Sequence, residues 1–333
     1  MIKIGIPRAL LYYQYYPMWK TFFEELGADV VVSPPTTPLI MSSGSSRVVA
    51  DTCLPVKVFC GHVISLVEEC DHIFIPAIRS VKSRVYNCAK FLGLPDMVKA
   101  VIPECPPILD IDIDVSKGKR ELYLAIYRLG QHFTWNPSRV RRAALAALKA
   151  YTDYRTLMSD CGLTPPQATE RITGDVEQES FSGQQSPVHA TIAVIGHPYL
   201  LYDENINHRL IHRLEKEGNK VLTPEMLSAE TLEAATAELV GRAYWTYEHE
   251  VVGAGQRYLG SRAGGIIGIM TFGCGPDSLM MEMVRRQANR MRATPFMTLT
   301  LEEHAAEAGI VTRLEAFLDM IHRKKRSQVG ICA

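Results

Sequence analysis

Lys3-Ile4-Gly5-Ile6-Pro7-Arg8-Ala9-Leu10-Leu11 opens the chain, and about 191 positions later its Gly5-to-Leu11 part falls on Gly196-His197-Pro198-Tyr199-Leu200-Leu201-Tyr202. With the same offset Gly27 falls on Gly218, and Val30-Val31-Val32 on Val221-Leu222-Thr223. Such self-similarity marks an internal duplication. Each copy reads as strand, Pro-containing turn, amphipathic helix, glycine stop, strand. Trp19, Phe22, Phe23 and Leu26 make the i, i+3, i+4, i+7 stripe of a helix lying on a sheet, and Leu210, Ile211 and Leu214 repeat it. Gly27 and Gly218 suit the position just past a helix end, where the chain turns into the next strand.

Strand and helix units in alternation imply right-handed crossovers and a mostly parallel sheet. The third strand of the first copy is expected at Ile73-Phe74-Ile75-Pro76 and a fourth at Val101-Ile102. Their counterparts are Ile266 to Met270 and Phe296-Met297-Thr298-Leu299. The expected fold is α/β, with two Rossmann-like lobes whose parallel sheets are related by duplication, plus a helical connecting segment. The lobes are placed at 1–115 and 189–325. Between them, 116–188 holds two helices, Glu121 to Leu129 and Ser138 to Met158, and a polar stretch from Gly174 to Val188 that reads as a surface linker. Residues 326–333 are expected to form a C-terminal tail. The basic side of the second helix (Arg139, Arg141, Arg142, Lys149) reads as a solvated face.

The chain has 333 residues, with 36 Lys+Arg against 36 Asp+Glu. Without a basic surplus it is not expected to bind nucleic acid. Pro7 interrupts the short apolar start, so the N-terminus reads as a strand and not as a signal peptide. No apolar run reaches the roughly 20 residues that span a bilayer. A soluble, cytoplasmic protein is expected, and its eight cysteines then need a reading suited to a reducing compartment. There is no Cys-x-x-Cys pair and no His pair following one, which argues against structural zinc. Cys70, Cys161 and Cys332 are expected to be small buried hydrophobes. Cys53, Cys88 and Cys274 are different, because neighbouring Pro and Gly place them in loops or at helix starts.

In open α/β sheets ligands collect beyond the carboxyl ends of the strands. The apolar run from Gly265 to Met270 ends in Gly273-Cys274-Gly275-Pro276, and Pro55 follows Cys53 as at a helix start. If both sheets present their carboxyl edges to a shared cleft, the three sulfurs can converge. Residue type alone leaves an iron–sulfur cluster, zinc and nucleophilic catalysis open. Cys60, seven residues after Cys53, and Cys105, after the expected strand Val101-Ile102, are reserve ligands. Lys57, His62 and Arg79 are candidate donors to cluster sulfides or a bound anion. His62 comes nine residues after Cys53, about 900° of helical rotation, and so points away from it. Glu303, His304 and Glu307 follow the last strand. Glu303 and Glu307 are expected to share a helix face, as acid/base groups or as favourable charges at the helix start. Tyr12, Tyr13, Tyr15 and Tyr16 would line a cleft or pack at an interface.

Several runs together form a recognisable pattern. They are Lys3 to Tyr13, Cys53-Leu-Pro-Val-Lys57 with Gly61-His62, Cys88-Ala-Lys-Phe-Leu-Gly-Leu-Pro95, Phe272-Gly-Cys-Gly-Pro-Asp-Ser278, and Thr298 to Glu307 with its continuation from Thr312. With these runs the chain resembles the activase-related proteins of the 2-hydroxyacyl-CoA dehydratase and benzoyl-CoA reductase superfamily, over nearly its whole length except the 160–188 linker. The resemblance implies an oxygen-sensitive iron–sulfur cluster, a [4Fe-4S] or a double-cubane cluster, held by Cys53, Cys88 and Cys274 between two lobes. It implies low-potential electrons from a separate ATP-dependent activator or reductase, and a homo- or hetero-oligomer. The chain begins at the dehydratase-like part and shows no phosphate-binding Gly-rich loop, so ATP hydrolysis by it is not expected. The functions to weigh are a dehydratase-like lyase or reductase component, a non-catalytic cluster-carrying scaffold, and a zinc or thiol enzyme on the same fold.

Overall fold

The computed structural model describes residues 1–175, 188–261, 263–292 and 294–330, with 324–330 described by backbone alone. The linker expected at 174–188 therefore falls mostly outside the described residues, as does Cys332. The chain divides into two compact units, Met1–Gln178 with Ala243–Tyr247, and Glu179–Arg242 with Glu248–Ala333. Each contains one four-stranded parallel sheet of the same strand order.

In the first unit the strands are β1 (Lys3–Ile6), β2 (Asp29–Val32), β3 (His72–Ser80) and β4 (Ile108–Asp114), ordered β2-β1-β3-β4. Ile4 is fully buried in β1 and Ile73 and Ile75 in β3, as expected of strands covered on both faces. Helix α1 (Tyr12–Glu25) buries Trp19, Phe22 and Phe23 of the expected stripe, with the Phe23 ring 5.0 Å from Phe74 of β3. It ends before Gly27, whose φ of +84° is left-handed. Helices α2 (Pro38–Ser45) and α3 (Leu54–Ile64) lie so close that a Cβ on Gly44 would overlap the Lys57 carbonyl, and one on Gly61 the Ile40 carbonyl. Two short helices follow β3, α4 (Ala89–Leu92) and α5 (Leu94–Val101). After β4 come α6 (Lys119–Gly130), α7 (Pro137–Cys161) and α8 (Pro165–Thr173). Tyr154 of α7 donates to the Tyr13 carbonyl at 2.7 Å, and Tyr16 donates to Asp175 at 2.8 Å, so this helical layer is tied to α1. Arg139 donates to the Leu26 carbonyl at the end of α1, while Lys149 pairs with Asp153.

The expected fourth strand is corrected by the structure. Val101 ends α5, and the strand is Ile108–Asp114. There Leu109 and Ile111 point inward while Asp110 and Asp112 are exposed, the alternation of an edge strand. The apolar pair Val101-Ile102 is instead the inner side of a helix end, with Ile102 fully buried.

In the second unit the strands are β5 (Thr191–Ile195), β6 (Lys220–Leu222), β7 (Gly265–Thr271) and β8 (Phe296–Leu301), ordered β6-β5-β7-β8. Its helices are α9 (Pro198–Leu201), α10 (Leu210–Lys216), α11 (Ala229–Val240), α12 (Ala254–Leu259), α13 (Gly275–Met291) and α14 (Glu307–Gly330). Helix α13 packs over β7 with Met280, Met281 and Val284 inward, and Gly268 leaves the space that Met281 takes. Gly218, after α10, has φ +72°, matching Gly27 of the other unit. No helix among the described residues is long and apolar enough to cross a membrane.

Candidate functional site

Two of the three singled-out thiols lie in the first unit. Cys53 is the extended N-cap of α3 and Cys88 the N-cap of α4, and neither makes a capping side-chain hydrogen bond. Cys53 does not follow a strand directly. Helix α3 feeds β3 of a parallel sheet, so it runs back along the sheet and its N-terminus lies at the carboxyl edge. The two helix starts meet: Lys90, two residues into the Cys88 helix, donates its Nζ to Cys53 Sγ at 3.4 Å. The loop before Cys88 is anchored by Asn87, whose backbone N–H donates to the Arg79 carbonyl at 2.8 Å and whose side chain donates to the Ile78 carbonyl at 3.1 Å. Residues 243–247 clasp the same loop. Tyr86 N–H donates to the Tyr244 carbonyl at 2.9 Å, Thr246 N–H to the Tyr86 carbonyl at 3.1 Å, and Tyr247 reaches Gln14 at 2.8 Å.

The neighbours of these thiols resolve into different roles. Lys57 is buried on α3. His62 is fully buried with both ring nitrogens engaged, Nδ1 with Ser33 Oγ and Nε2 with Thr36 Oγ1, each at 2.9 Å. Burial, with the charge of Arg8 adding to it, pushes this imidazole down to about 3, so His62 is a neutral strut. Arg79 is half exposed and 3.6 Å from Asp114. Tyr12, Tyr13 and Tyr16 are buried, with Tyr12 stacked on Tyr16 at 4.6 Å.

The reserve ligands lie elsewhere. Cys60 is fully enclosed and burial pushes its thiol up to about 12, the behaviour of a core residue. Cys105 precedes β4, so it stands at the amino-terminal edge of the sheet and not at the carboxyl edge expected of it. Burial, then the nearby Cys70 and Glu104, push it up to about 11. Cys70, expected to be buried, is half-buried, and Cys161 at the end of α7 is exposed.

The third thiol, Cys274, is the N-cap of α13 in the second unit. Gly273 before it has φ +76°, a left-handed turn that glycine takes without strain. Pro276 enters the first helical turn and Asp277 sits beneath, nearly fully buried. Asp277 Oδ2 accepts from Thr271 N–H at 3.3 Å, and the carboxyl also hydrogen-bonds the Cys274 side chain. Its Oδ1 lies 3.1 Å from Nδ1 of His197, which is 2.5 Å from the Tyr199 hydroxyl. Burial disfavours both charges, raising the Asp277 carboxyl and lowering the His197 imidazole. The thiol thus adjoins a buried carboxyl, and that carboxyl and a phenol both lie at Nδ1 of His197.

Sequence reasoning did not single out His197 as functional. The duplication carried a signal, because His197 falls on Ile6 of the first copy, and a polar residue in an apolar slot needs a partner. The carboxyl-edge acids behave otherwise than expected. Glu303 and His304 lie in the turn before α14 and Glu307 begins it, so Glu303 and Glu307 do not share a helix face. Glu307 pairs with Arg213 of α10, and His304, exposed, is 3.6 Å from Glu303.

The thiolate sulfurs of Cys53, Cys88 and Cys274 are soft donors at uncapped helix starts, which fits thiophilic iron. Among the described residues no group of three or more His, Cys, Asp and Glu side chains is gathered as a metal site. A family model described as the CoA enzyme activase uncharacterised domain matches residues 3–227. No curated protein matches the chain.

Proposed function

Since the chain belongs to the family described as the CoA enzyme activase uncharacterised domain, we propose that it is an iron–sulfur protein of the dehydratase-related kind, accepting low-potential electrons through Cys53, Cys88 and Cys274. The observation that carries this reading is the shared placement of the three thiols, each at the N-cap of a helix and none spent on capping it. A cluster on three thiolates supplies an iron with an open position, able to polarise or reduce a bound group. The chain's own residues prepare for a negative charge. The starts of α3 and α13 present positive dipole ends, and Lys90 reaches Cys53 with a full positive charge. Asp277 ties Cys274 to the end of β7, which fixes the thiol's position before any ligand arrives. The electron donor is a separate ATP-dependent activator, because a thioester-like group takes an electron only at very low potential, and cluster potentials extend down to about −700 mV.

Anaerobic purification followed by iron and acid-labile sulfide analysis tests the reading. Iron and sulfide in equal amounts are expected, lost in air, and abolished in Cys53→Ser, Cys88→Ser and Cys274→Ser, because a hard hydroxyl replaces a soft thiolate. Cys70→Ser and Cys161→Ser should keep the cluster. Stoichiometric zinc without sulfide, or a Cys274→Ser protein with an unchanged cluster, would falsify the proposal.

A further inference from the structure

The thiols at helix starts leave two half-buried cysteines of the first unit without a role, Cys70 before β3 and Cys105 before β4. Strands β3 and β4 are parallel neighbours, with Ile73 opposite Ile108 and Phe74 opposite Leu109. At this end of the ladder Ile73 N–H donates to the Pro107 carbonyl at 3.2 Å. Counted back three places on each chain, the same register sets Cys70 opposite Cys105. Neighbouring strands run about 4.8 Å apart, within the roughly 4.4–6.8 Å between Cα atoms that a disulfide accepts. Burial first, and then the charge of Cys70 acting from close by, push the Cys105 thiol up to about 11, a second sign that the two sulfurs are near one another.

Both chain segments are held in place. Asp71 accepts from Lys3 N–H at 2.8 Å, and its own N–H donates to the Lys3 carbonyl at 3.0 Å, which ties the start of β3 to β1. On the other side Glu104 pairs with Arg47, and Cys105 N–H donates to the Ile102 carbonyl at 3.0 Å. A Cβ on Gly5 of β1 would lie 2.6 Å from Cys70 Sγ, so the glycine leaves the space the sulfur takes against the strand. The thiol donates to the Leu66 carbonyl at 3.2 Å. Burial raises the Cys70 thiol, with Asp71 and Glu69 adding to the rise, and hydrogen bonds from the Gly5 and His72 backbone oppose it. Cys105 is raised by burial, Cys70 and Glu104 alike. Cys70 is therefore the sulfur whose thiolate the backbone supports. Strand β3 is nine residues long, about 30 Å at about 3.3 Å per residue, so the pair lies far from the helix starts at the carboxyl edge.

We propose that Cys70 and Cys105 form a reversible disulfide in response to peroxide, a modification site at the amino-terminal edge of the first sheet. The Cys70 sulfur attacks one peroxide oxygen and breaks the O–O bond. Cys70 becomes a sulfenic acid, and the other oxygen leaves as water with the thiol proton. The Cys105 sulfur then attacks the Cys70 sulfur, and the S–S bond forms as the S–O bond breaks. The departing hydroxide takes the Cys105 proton and leaves as a second water. Two thiols and one peroxide give one disulfide and two waters, the two sulfurs supplying the two electrons that reduce the peroxide. Because burial keeps both thiols protonated, closure is slow, and the reduced pair persists in a reducing compartment.

The test treats the full chain with hydrogen peroxide, quenches with acid, alkylates the remaining thiols, and digests with trypsin and a glutamate-specific protease. Cleavage at Glu69 and Glu104, with Arg79 and Lys117, leaves Cys70 in 70–79 and Cys105 in 105–117, each as its only cysteine. The two peptides are expected joined by a disulfide that dithiothreitol reverses. Cys70→Ser and Cys105→Ser should each lose the link, and Cys105→Ser should leave a Cys70 sulfenic acid that dimedone captures. Peptide mapping of the wild-type chain decides the matter if a variant does not fold. Cys70 and Cys105 both recovered alkylated, either one joined to another cysteine, or Cys70 passing to sulfinic acid in the wild-type chain overturns the proposal. Neither cysteine is a ligand in the iron–sulfur reading, so a failure here leaves that reading standing.

Discussion

The two lobes share a strand order and a pair of helix-ending glycines, and they differ at the carboxyl edge. In the first lobe the slot at the end of β1 holds Ile6, followed by Pro7, both in the wall of an apolar cavity, and the thiol of Cys53 meets the ammonium of Lys90. In the second the same slot holds His197, and the thiol of Cys274 meets the carboxyl of Asp277. Both lobes bury a histidine, but with different partners. His62 is held by two hydroxyls and kept neutral by burial, whereas His197 lies against a carboxyl and a phenol. Duplication preserved the frame, where backbone geometry is demanding, and let the edge diverge, where only local hydrogen bonding had to be satisfied.

The largest effect expected within this comparison comes from the backbone contact that seats the Cys53 helix. Gly61→Ala places a Cβ against the Ile40 carbonyl, where no side chain can yield and the backbones of α2 and α3 must part. Overpacking against backbone should cost about 3 kcal/mol or more. Urea unfolding measures it, and a loss below about 1 kcal/mol would mean that the two helices separate easily and that α2 does not fix Cys53. The second lobe seats α13 differently, by Gly268 under the flexible side chain of Met281, so Gly268→Ala should cost less.

A second contrast is in pH. The His62 imidazole is lowered to about 3 in the folded chain from its ordinary 6.5. Between those values the unfolded chain binds a proton that the folded chain does not, so stability falls as the pH falls, by about 1.4 kcal/mol per unit. The contribution is fully present above pH 6.5. His62→Gln, which can still meet a hydroxyl, should remove that slope between pH 6.5 and 4.5 and so narrow the gap to wild type as the solution is acidified. Parallel pH profiles for the two proteins would mean that His62 titrates normally in the folded state.

How much of this was legible in the sequence depended on what each residue's surroundings demand. Strands β1, β3 and β7 are buried on both faces and appear as apolar runs, and the Trp19, Phe22, Phe23 stripe declares its helix. Strand β4 did not, since an edge strand with Asp110 and Asp112 facing water has half the apolar content expected of a parallel sheet. Glu303 and Glu307 looked like a helical pair because spacing alone cannot show that a helix starts at the second of them. The thiols were legible as helix starts from their prolines and glycines. Their partners were not: Lys90 and Asp277 act through space across a loop or a turn.

The smallest predicted effect tests the part of the frame the lobes hold in common. Gly27 and Gly218 fall on one another in the duplication and both are left-handed, with φ +84° and +72°. A side chain at either position pays the backbone cost of that conformation, about 1 kcal/mol. The space around them is also alike. A Cβ on Gly27 would lie 3.2 Å from Arg139 Nη2, and one on Gly218 3.1 Å from His189 Nδ1. Arg139 is long enough to shift by a few tenths of an ångström, although it would strain its bond to the Leu26 carbonyl. His189 is a shorter, stiffer ring that also hydrogen-bonds the Glu217 carbonyl at 3.1 Å. Gly27→Ala and Gly218→Ala should therefore each lower stability by about 1 kcal/mol, with Gly218→Ala the costlier by a few tenths. Unfolding midpoints of the two single variants measure it. Equal small losses would fit backbone strain acting alone, and a loss at only one glycine would mean that the two helix ends are not equivalent and that the duplicated frame extends less far than the strand order suggests.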